Sequence, residues 1–229
     1  MALRSAGCPN MAIEDTYAAG TRAALPLIAP TLLIGMSFGV AAIALDWSYA
    51  APVVMSIVVF SGAGQFAIAS VLGSGGSVIA AVLAAILVGG RFLAMGVAIG
   101  PSLRGGPVRR ALEGQAIVDA SFLLARTGEA EFGPRRLLGA TAPQFAAWVL
   151  GTLAGVLAGS RIGDPERYGL DVVFPAFFLV LLAEELREPA SRAAAAAGGL
   201  IALALIPLAP PGVPVIAACA AVLVGRLRS

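Results

Sequence analysis

Ser61-Gly62-Ala63-Gly64-Gln65 sets two glycines and an amide in the middle of an apolar run, 53–72, of twenty residues without a charge. Such a run is long enough to cross the hydrocarbon layer as a helix. Each glycine costs a helix interior about 1 kcal/mol relative to alanine, and Gln65 carries a polar side chain to mid-membrane depth. A helix that only anchors a protein has no use for either. A helix that unwinds to show backbone groups to a small solute does. The chemistry on offer is binding: N–H groups at the start of a half-helix beginning near Gln65, facing an anion such as a carboxylate. Close packing through small residues is the plainer alternative, and the adjacent Gln65 favours a solute pathway over it.

Three further positions have chemistry inside apolar sequence. Arg91, in Leu87-Val88-Gly89-Gly90-Arg91-Phe92, lies well within the third apolar run. About ten residues, or ~15 Å of helix, separate it from Pro101, too far for comfortable snorkelling. It needs a substrate carboxylate or an internal acid as partner. Asp119 stands in Val118-Asp119-Ala120-Ser121-Phe122, either as that partner, as a proton-coupling carboxylate, or as a solvated residue on a surface helix. Gln144 follows Pro143 inside the fourth run and is a weaker pathway candidate. In the second half Phe174-Pro175-Ala176 carries a proline, which frees a backbone carbonyl. Glu184, Glu185 and Glu188 beside Arg187 and Arg192 read as a charged helix end in water. Trp47, Tyr49 and Trp148 read as interface anchors.

The elements that must position these groups are helices. The 229 residues are 59% hydrophobic and only 12% charged, against about 25% charged in a soluble domain. Continuous rather than alternating apolar runs give an all-α polytopic membrane protein, not a barrel. All 15 cationic residues are arginine. The absence of Lys and His excludes a Schiff base, a Walker-type phosphate loop, His metal sites and His general bases. No nucleophile–base pair is readable, so no enzyme and no cofactor is expected. Cys8 and Cys219 suggest neither a disulfide framework nor a metal site.

Seven apolar spans are expected: 23–45, 51–72, 77–99, 137–158, 170–186, 193–208 and 213–224. Residues 1–20 form a polar lead and 21–226 one transport domain. The linker 101–136 holds six arginines: Arg104, Arg109, Arg110, Arg126, Arg135 and Arg136. Its semi-apolar piece 114–125 is too short to cross and is flanked by arginine on both sides. The linker therefore reads as cytoplasmic with a re-entrant or interfacial helix, and the N-terminus as external, although Arg4 and Arg22 disagree with that side.

Pro30 precedes Gly35-x-x-x-Gly39, and Pro143 precedes Gly151-x-x-x-Gly155. Val58-Val59-Phe60-Ser61 likewise matches Val172-Val173-Phe174-Pro175. The spacing from second glycine to phenylalanine is 21 residues in one half and 19 in the other. These matches suggest an inverted repeat of three plus three spans, about 23–100 and 137–208, with an extra helix at 213–226 and helices broken at mid-membrane.

Ile34-Gly35-Met36-Ser37-Phe38-Gly39, Phe60-Ser61-Gly62-Ala63-Gly64-Gln65-Phe66 and Gly90-Arg91-Phe92-Leu93-Ala94-Met95-Gly96, closing at Gly100-Pro101, together resemble the AzlC family. Asp119-Ala120-Ser121-Phe122 is similar to its Asp-Glu-Ser-Phe segment, and Phe174-Pro175-Ala176-Phe177-Phe178 to its fifth span. The resemblance runs over about 21–225. It implies export of branched-chain or other bulky neutral amino acids across the inner membrane. A small AzlD-like four-helix subunit is the implied partner. The chain departs from the pattern at Phe92, where many members carry His, and at Ala120, where they carry Glu. These departures bear on proton coupling and substrate choice. A passive facilitator for small neutral solutes, or a non-transporting assembly subunit, are the alternatives.

Overall fold

The computed structural model describes residues 14–128, 131–162, 189–209 and 213–218, with single positions between 179 and 187. Among them every regular element is a helix, apart from a lone bridge between Arg126 and Phe132. The helices are α1 (Tyr17–Ala44), α2 (Ala50–Val58), α3 (Gly62–Gly73), α4 (Val78–Gly89), α5 (Arg91–Ile99), α6 (Pro107–Gly114), α7 (Asp119–Leu124), α8 (Pro134–Ile162), α9 (Pro189–Leu205) and α10 (Val213–Ala218). Helix α1 and the stretch Pro134–Gly159 are each long and apolar enough to cross a membrane, and α4 with α5 makes a third crossing if the interrupted pair is one span. Most of the fifth expected span and the end of the seventh lie outside the described residues.

Contacts divide the chain into two units. The first joins Met1–Ile28 to Phe92–Gln144. Its core is Ile99, Leu103, Ala116, Ile117, Ala125 and Leu137. Pro107 starts α6, where its missing N–H is not needed. Helices α6 and α7 hold eight and six residues, about 12 and 9 Å, so neither crosses a bilayer. Asp15 Oδ1 accepts the backbone N–H of Arg136 at 2.9 Å, capping α8. Gly133 packs on the same carboxylate, and Gly139 on the Tyr17 carbonyl. Pro143 cannot donate to the carbonyl of Gly139, and Thr21 Oγ1 donates to it instead at 3.0 Å.

These contacts correct the topology. The start of α1 meets the start of α8, so it lies beside the end of the arginine-rich linker. A start of α1 opposite the linker, as the sequence led us to expect, is not what forms. Helix α1 also begins at Tyr17, so the last residues of the expected polar lead are helical.

The second unit joins Ala29–Arg91 to Phe145–Ser229. In it the two Gly-x-x-x-Gly motifs meet each other. A Cβ on Gly35 would fall 2.7 Å from the Trp148 carbonyl oxygen, and one on Gly39 would strike that of Thr152. Reciprocally, Gly151 abuts the Leu32 carbonyl and Gly155 that of Met36. Glycine is required here because backbone approaches backbone. Residue numbers rise together along both helices, so they pack parallel. A shift of 116 carries Leu32 to Trp148, Gly35 to Gly151 and Gly39 to Gly155. Each contact therefore recurs with the roles exchanged, as a two-fold axis along the helices requires. An inverted repeat would set these two helices antiparallel.

The second apolar run does not cross. Ser56 of α2 and Gln65 of α3 are joined by a 2.9 Å hydrogen bond, whereas nine residues of straight helix would separate them by ~14 Å. Gly73, at the far end of α3, packs on the Leu45 side chain at the end of α1. Helices α2 and α3 are thus a re-entrant hairpin that enters and leaves where α1 ends. Helix α3 then packs on α4 through Ala67, Val71, Ala80, Ala81 and Ala84. Ser77 caps α4 by accepting the Ala80 N–H.

Candidate functional site

The hairpin tip is the feature that packing alone does not demand. Helix α2 stops at Val58, and Phe60 takes a positive φ of 40°. That conformation costs a bulky residue roughly 1–3 kcal/mol. Phe60 is held there by an edge-to-face contact with Phe145, centroids 5.0 Å apart. Ser61 is extended and its Oγ accepts the Gly64 N–H at 3.3 Å, capping α3 as serine does well. The first-turn amides of Gly62 and Ala63 lie ahead of the helix's own ladder.

The glycines are therefore not unwound, as the sequence suggested. The break is Val59–Phe60–Ser61, and α3 begins at Gly62 rather than near Gln65. Gly62 is glycine because the Trp148 ring lies across it, 2.9 Å from where a Cβ would sit. At Gly64 a Cβ would lie 3.1 Å from the capping Ser61 Oγ.

Gln65 is fully buried, and its amide belongs to a closed circuit. Trp148 Nε1–H donates to Gln65 Oε1 at 2.9 Å. Gln65 Nε2–H donates to Ser56 Oγ at 2.9 Å. Ser56 and Thr152 hydroxyls are 2.9 Å apart, and Thr152 Oγ1–H donates to the Trp148 carbonyl at 2.9 Å. Since the one Thr152 hydroxyl hydrogen is committed there, Ser56 donates to Thr152. Every bond in the circuit then has one direction. It ties both arms of the hairpin to α8 in a setting where an unmade bond is expensive. Phe66 adds edge-to-face contacts with Phe38 at 5.7 Å and Trp148 at 6.4 Å.

Trp148 is thus a buried member of the site, not an interface anchor. Ser56 and Thr152 escaped notice in the sequence. The signals for them were slight: a hydroxyl inside an apolar half-helix, and a threonine between the glycines of Gly151-x-x-x-Gly155.

The other candidates belong to other elements than the hairpin. Arg91 is half-buried where α4 gives way to α5. Asp119 opens α7 and Gln144 lies in α8, both in the first unit. Gln144 is buried and its Nε2–H donates to the Ala140 carbonyl at 2.9 Å, within its own helix. Phe174 and Pro175 lie outside the described residues. Among the described residues no group of three or more His, Cys, Asp or Glu is placed to hold a metal ion.

Comparison with known proteins places this arrangement. The model of the AzlC protein family matches residues 26–162, more than half of the chain. An uncharacterized membrane protein of Archaeoglobus fulgidus is 33% identical over 199 residues, 86% of this chain and 87% of that protein. The inner membrane protein YgaZ of Escherichia coli (strain K12) is 28% identical over 196 residues, covering 80% and 78%. The branched-chain amino acid transport protein AzlC of Bacillus subtilis (strain 168) is 25% identical over 186 residues, covering 80% and 73%. No solved structure matches the chain significantly.

Proposed function

As the chain belongs to the AzlC family, a family of membrane transport proteins rather than enzymes, we propose that it exports branched-chain and other bulky neutral amino acids across the inner membrane. The transport is secondary and active, coupled to protons, and the working unit includes a small AzlD-like four-helix subunit. The observation that carries this reading is the re-entrant hairpin broken at Val59–Ser61. Half-helix ends inside a membrane are where transporters bind small charged groups.

In this proposal Ser61, Gly62 and Ala63 offer hydroxyl and amide donors to the substrate carboxylate. Gly64 and Gln65 keep the tip in place, Gly64 through the Ser61 cap and Gln65 through its circuit. Arg91 and Gln144 belong to the solute pathway, Phe174 and Pro175 to the corresponding place in the second half, and Asp119 to coupling. The arginine-rich face, with the start of α1 beside it, is cytoplasmic by the charge rule.

Inside-out vesicles holding the chain and its partner test the proposal. Uptake of labelled valine should saturate and accelerate when unlabelled valine is preloaded on the far side. A Gly62→Val chain, whose new side chain meets the Trp148 ring, should lose it. Flux linear in gradient without exchange would point to a passive facilitator. Vesicles indistinguishable from those lacking the chain would sink transport altogether.

A further inference from the structure

Helix α6 turns its apolar side outward. Val108 and Leu112, one turn apart on a single face, are 75% and 71% exposed, whereas Glu113 is only 7% exposed. A linker helix in water does the opposite, with apolar residues inward and charges outward. Arg109 keeps the acid inside, its Nε–H donating to Glu113 Oε1 at 2.7 Å. The outward face is therefore built for a surrounding that is not water.

Beside that face runs a groove of about 360 Å³, lined by Gly96 of α5, Gly100 just after it, and Arg110, Ala111 and Gly114 of α6. A Cβ on any of these three glycines would meet nothing within 4 Å, so the space is open down to the backbone. On α5, Leu93 and Val97 are 76% and 79% exposed, and Gly96 lies one turn from Leu93 on the same side. In a membrane protein such a side faces acyl chains. Helix α5 is the last apolar segment before the linker, so the groove lies where the hydrocarbon ends.

Arg110 stands exposed at the wall of this groove. Its Nε–H donates to the Leu103 carbonyl at 3.2 Å, and an Nη2–H to the Gly100 carbonyl at 3.0 Å. Neutral carbonyls fix the guanidinium without cancelling its charge, and these bonds use only two of its five N–H donors. Arg104 is a second exposed cation, just before α6. The one acid of α6, Glu113, is already engaged by Arg109, so this edge of the helix favours an anion.

A dissolved anion would suit Arg110 but leave Val108 and Leu112 in water. A protein partner typically covers about 800 Å² a side, and a helix of eight residues is only about 12 Å long. A lipid with a negative headgroup meets the outward apolar face, the open groove and the fixed cation together.

We propose that α6 is seated in the membrane interface and binds an anionic phospholipid there. Val108 and Leu112 lie among the acyl chains, the phosphate sits on Arg110, and one acyl chain enters the groove. The site is separate from the hairpin tip and goes beyond the transport reading, which it does not use.

A local reporter tests it. In a cysteine-free chain (Cys8→Ser, Cys219→Ser), Leu112→Cys carries a bimane label, and the chain is held in phosphatidylcholine nanodiscs. A small share of lipid with a nitroxide on its acyl chain is added, either as phosphatidylglycerol or as phosphatidylcholine. Both should quench the label, and phosphatidylglycerol about fivefold more strongly at equal mole fraction, the worth of one arginine at an anionic surface. Arg110→Ala should abolish that preference, and Arg110→Lys should keep most of it. Gly96→Leu, which fills the groove from a position open around its Cβ and leaves every charge in place, should also bring the two lipids level.

A label that neither lipid quenches puts α6 in water and overturns the proposal. Equal quenching of the starting chain by both lipids overturns the site, as does a preference that survives Gly96→Leu at an unaltered melting temperature. That variant decides the matter even where Arg110→Ala, which also loses two carbonyl bonds, fails to fold. Quenching that disappears when a small partner subunit is added gives the face to a protein and overturns the lipid site as well.

Discussion

Replacing Gln65 with leucine tests whether the circuit holds the hairpin to α8. The two side chains have similar volume, so the change opens no cavity and its cost is polar. Two hydrogen bonds are lost, each 2.9 Å long. The Trp148 indole N–H loses its acceptor. Ser56 Oγ loses a donor but keeps its own O–H on Thr152. A buried donor left unpaired costs about 1–3 kcal/mol, while side-chain hydrogen bonds between membrane helices average about 0.6 and reach about 1.7 kcal/mol. One orphaned donor and one weakened acceptor together should cost about 2 kcal/mol, roughly a thirtyfold drop in the folding constant. The measurement is reversible unfolding in mixed micelles, followed by circular dichroism because Trp148 is itself changed in the companion variant. Trp148→Phe removes the same donor from the other side. If the bond is real, the double variant should be about 1 kcal/mol more stable than the sum of the single effects predicts. Additivity within about 0.3–0.5 kcal/mol would refute the Gln65–Trp148 bond and with it the closed circuit.

The glycine contacts make a sharper contrast. Gly39→Ala and Gly155→Ala each drive a methyl into a backbone carbonyl of the facing helix and should cost about 1–3 kcal/mol, read as a lower melting temperature in detergent. Gly96→Ala, inside α5 with nothing within 4 Å of the new Cβ, should be neutral or stabilising by about 0.5–1 kcal/mol. Equal behaviour of Gly155→Ala and Gly96→Ala would remove the α1–α8 crossing. For topology, Thr16→Cys and Thr127→Cys in the cysteine-free chain should react with an impermeant maleimide from the same side of sealed vesicles. Labelling from opposite sides would restore an N-terminus facing away from the linker.

The spacing of the small-residue motifs has a physical use beyond marking a repeat. Gly35-x-x-x-Gly39 and Gly151-x-x-x-Gly155 announce a close crossing, and the structure crosses them on each other. The polar break near Ser61 was legible because glycines and an amide have no place in an idle membrane helix. The partners of Gln65 were not, because Ser56, Trp148 and Thr152 lie far apart in sequence or look ordinary where they stand. Trp148 suggests an interface by type alone, and its bond to Gln65 and the Gly62 beneath its ring reveal that it is inside.

The expected placement of α1 opposite the linker failed for a single reason. A run of apolar residues from 51 to 72 is long enough to cross, and nothing in its composition separates one crossing from two half-helices of nine and twelve residues that turn back at Phe60. Counting it as a crossing gives three between the N-terminus and the linker, an odd number, which puts the two on opposite sides and α8 antiparallel to α1. Counting it as a hairpin gives two. The start of α1 then joins the linker, α8 runs parallel to α1, and the repeat of Gly35 at Gly151 becomes a two-fold axis along the helices instead of one across them. Arg22, which opposed an external start of α1, fits a start of α1 on the linker's side. The Asp15 cap on Arg136 and the Ser56–Gln65 bond are independent contacts, one in each unit. Both demand the same even count.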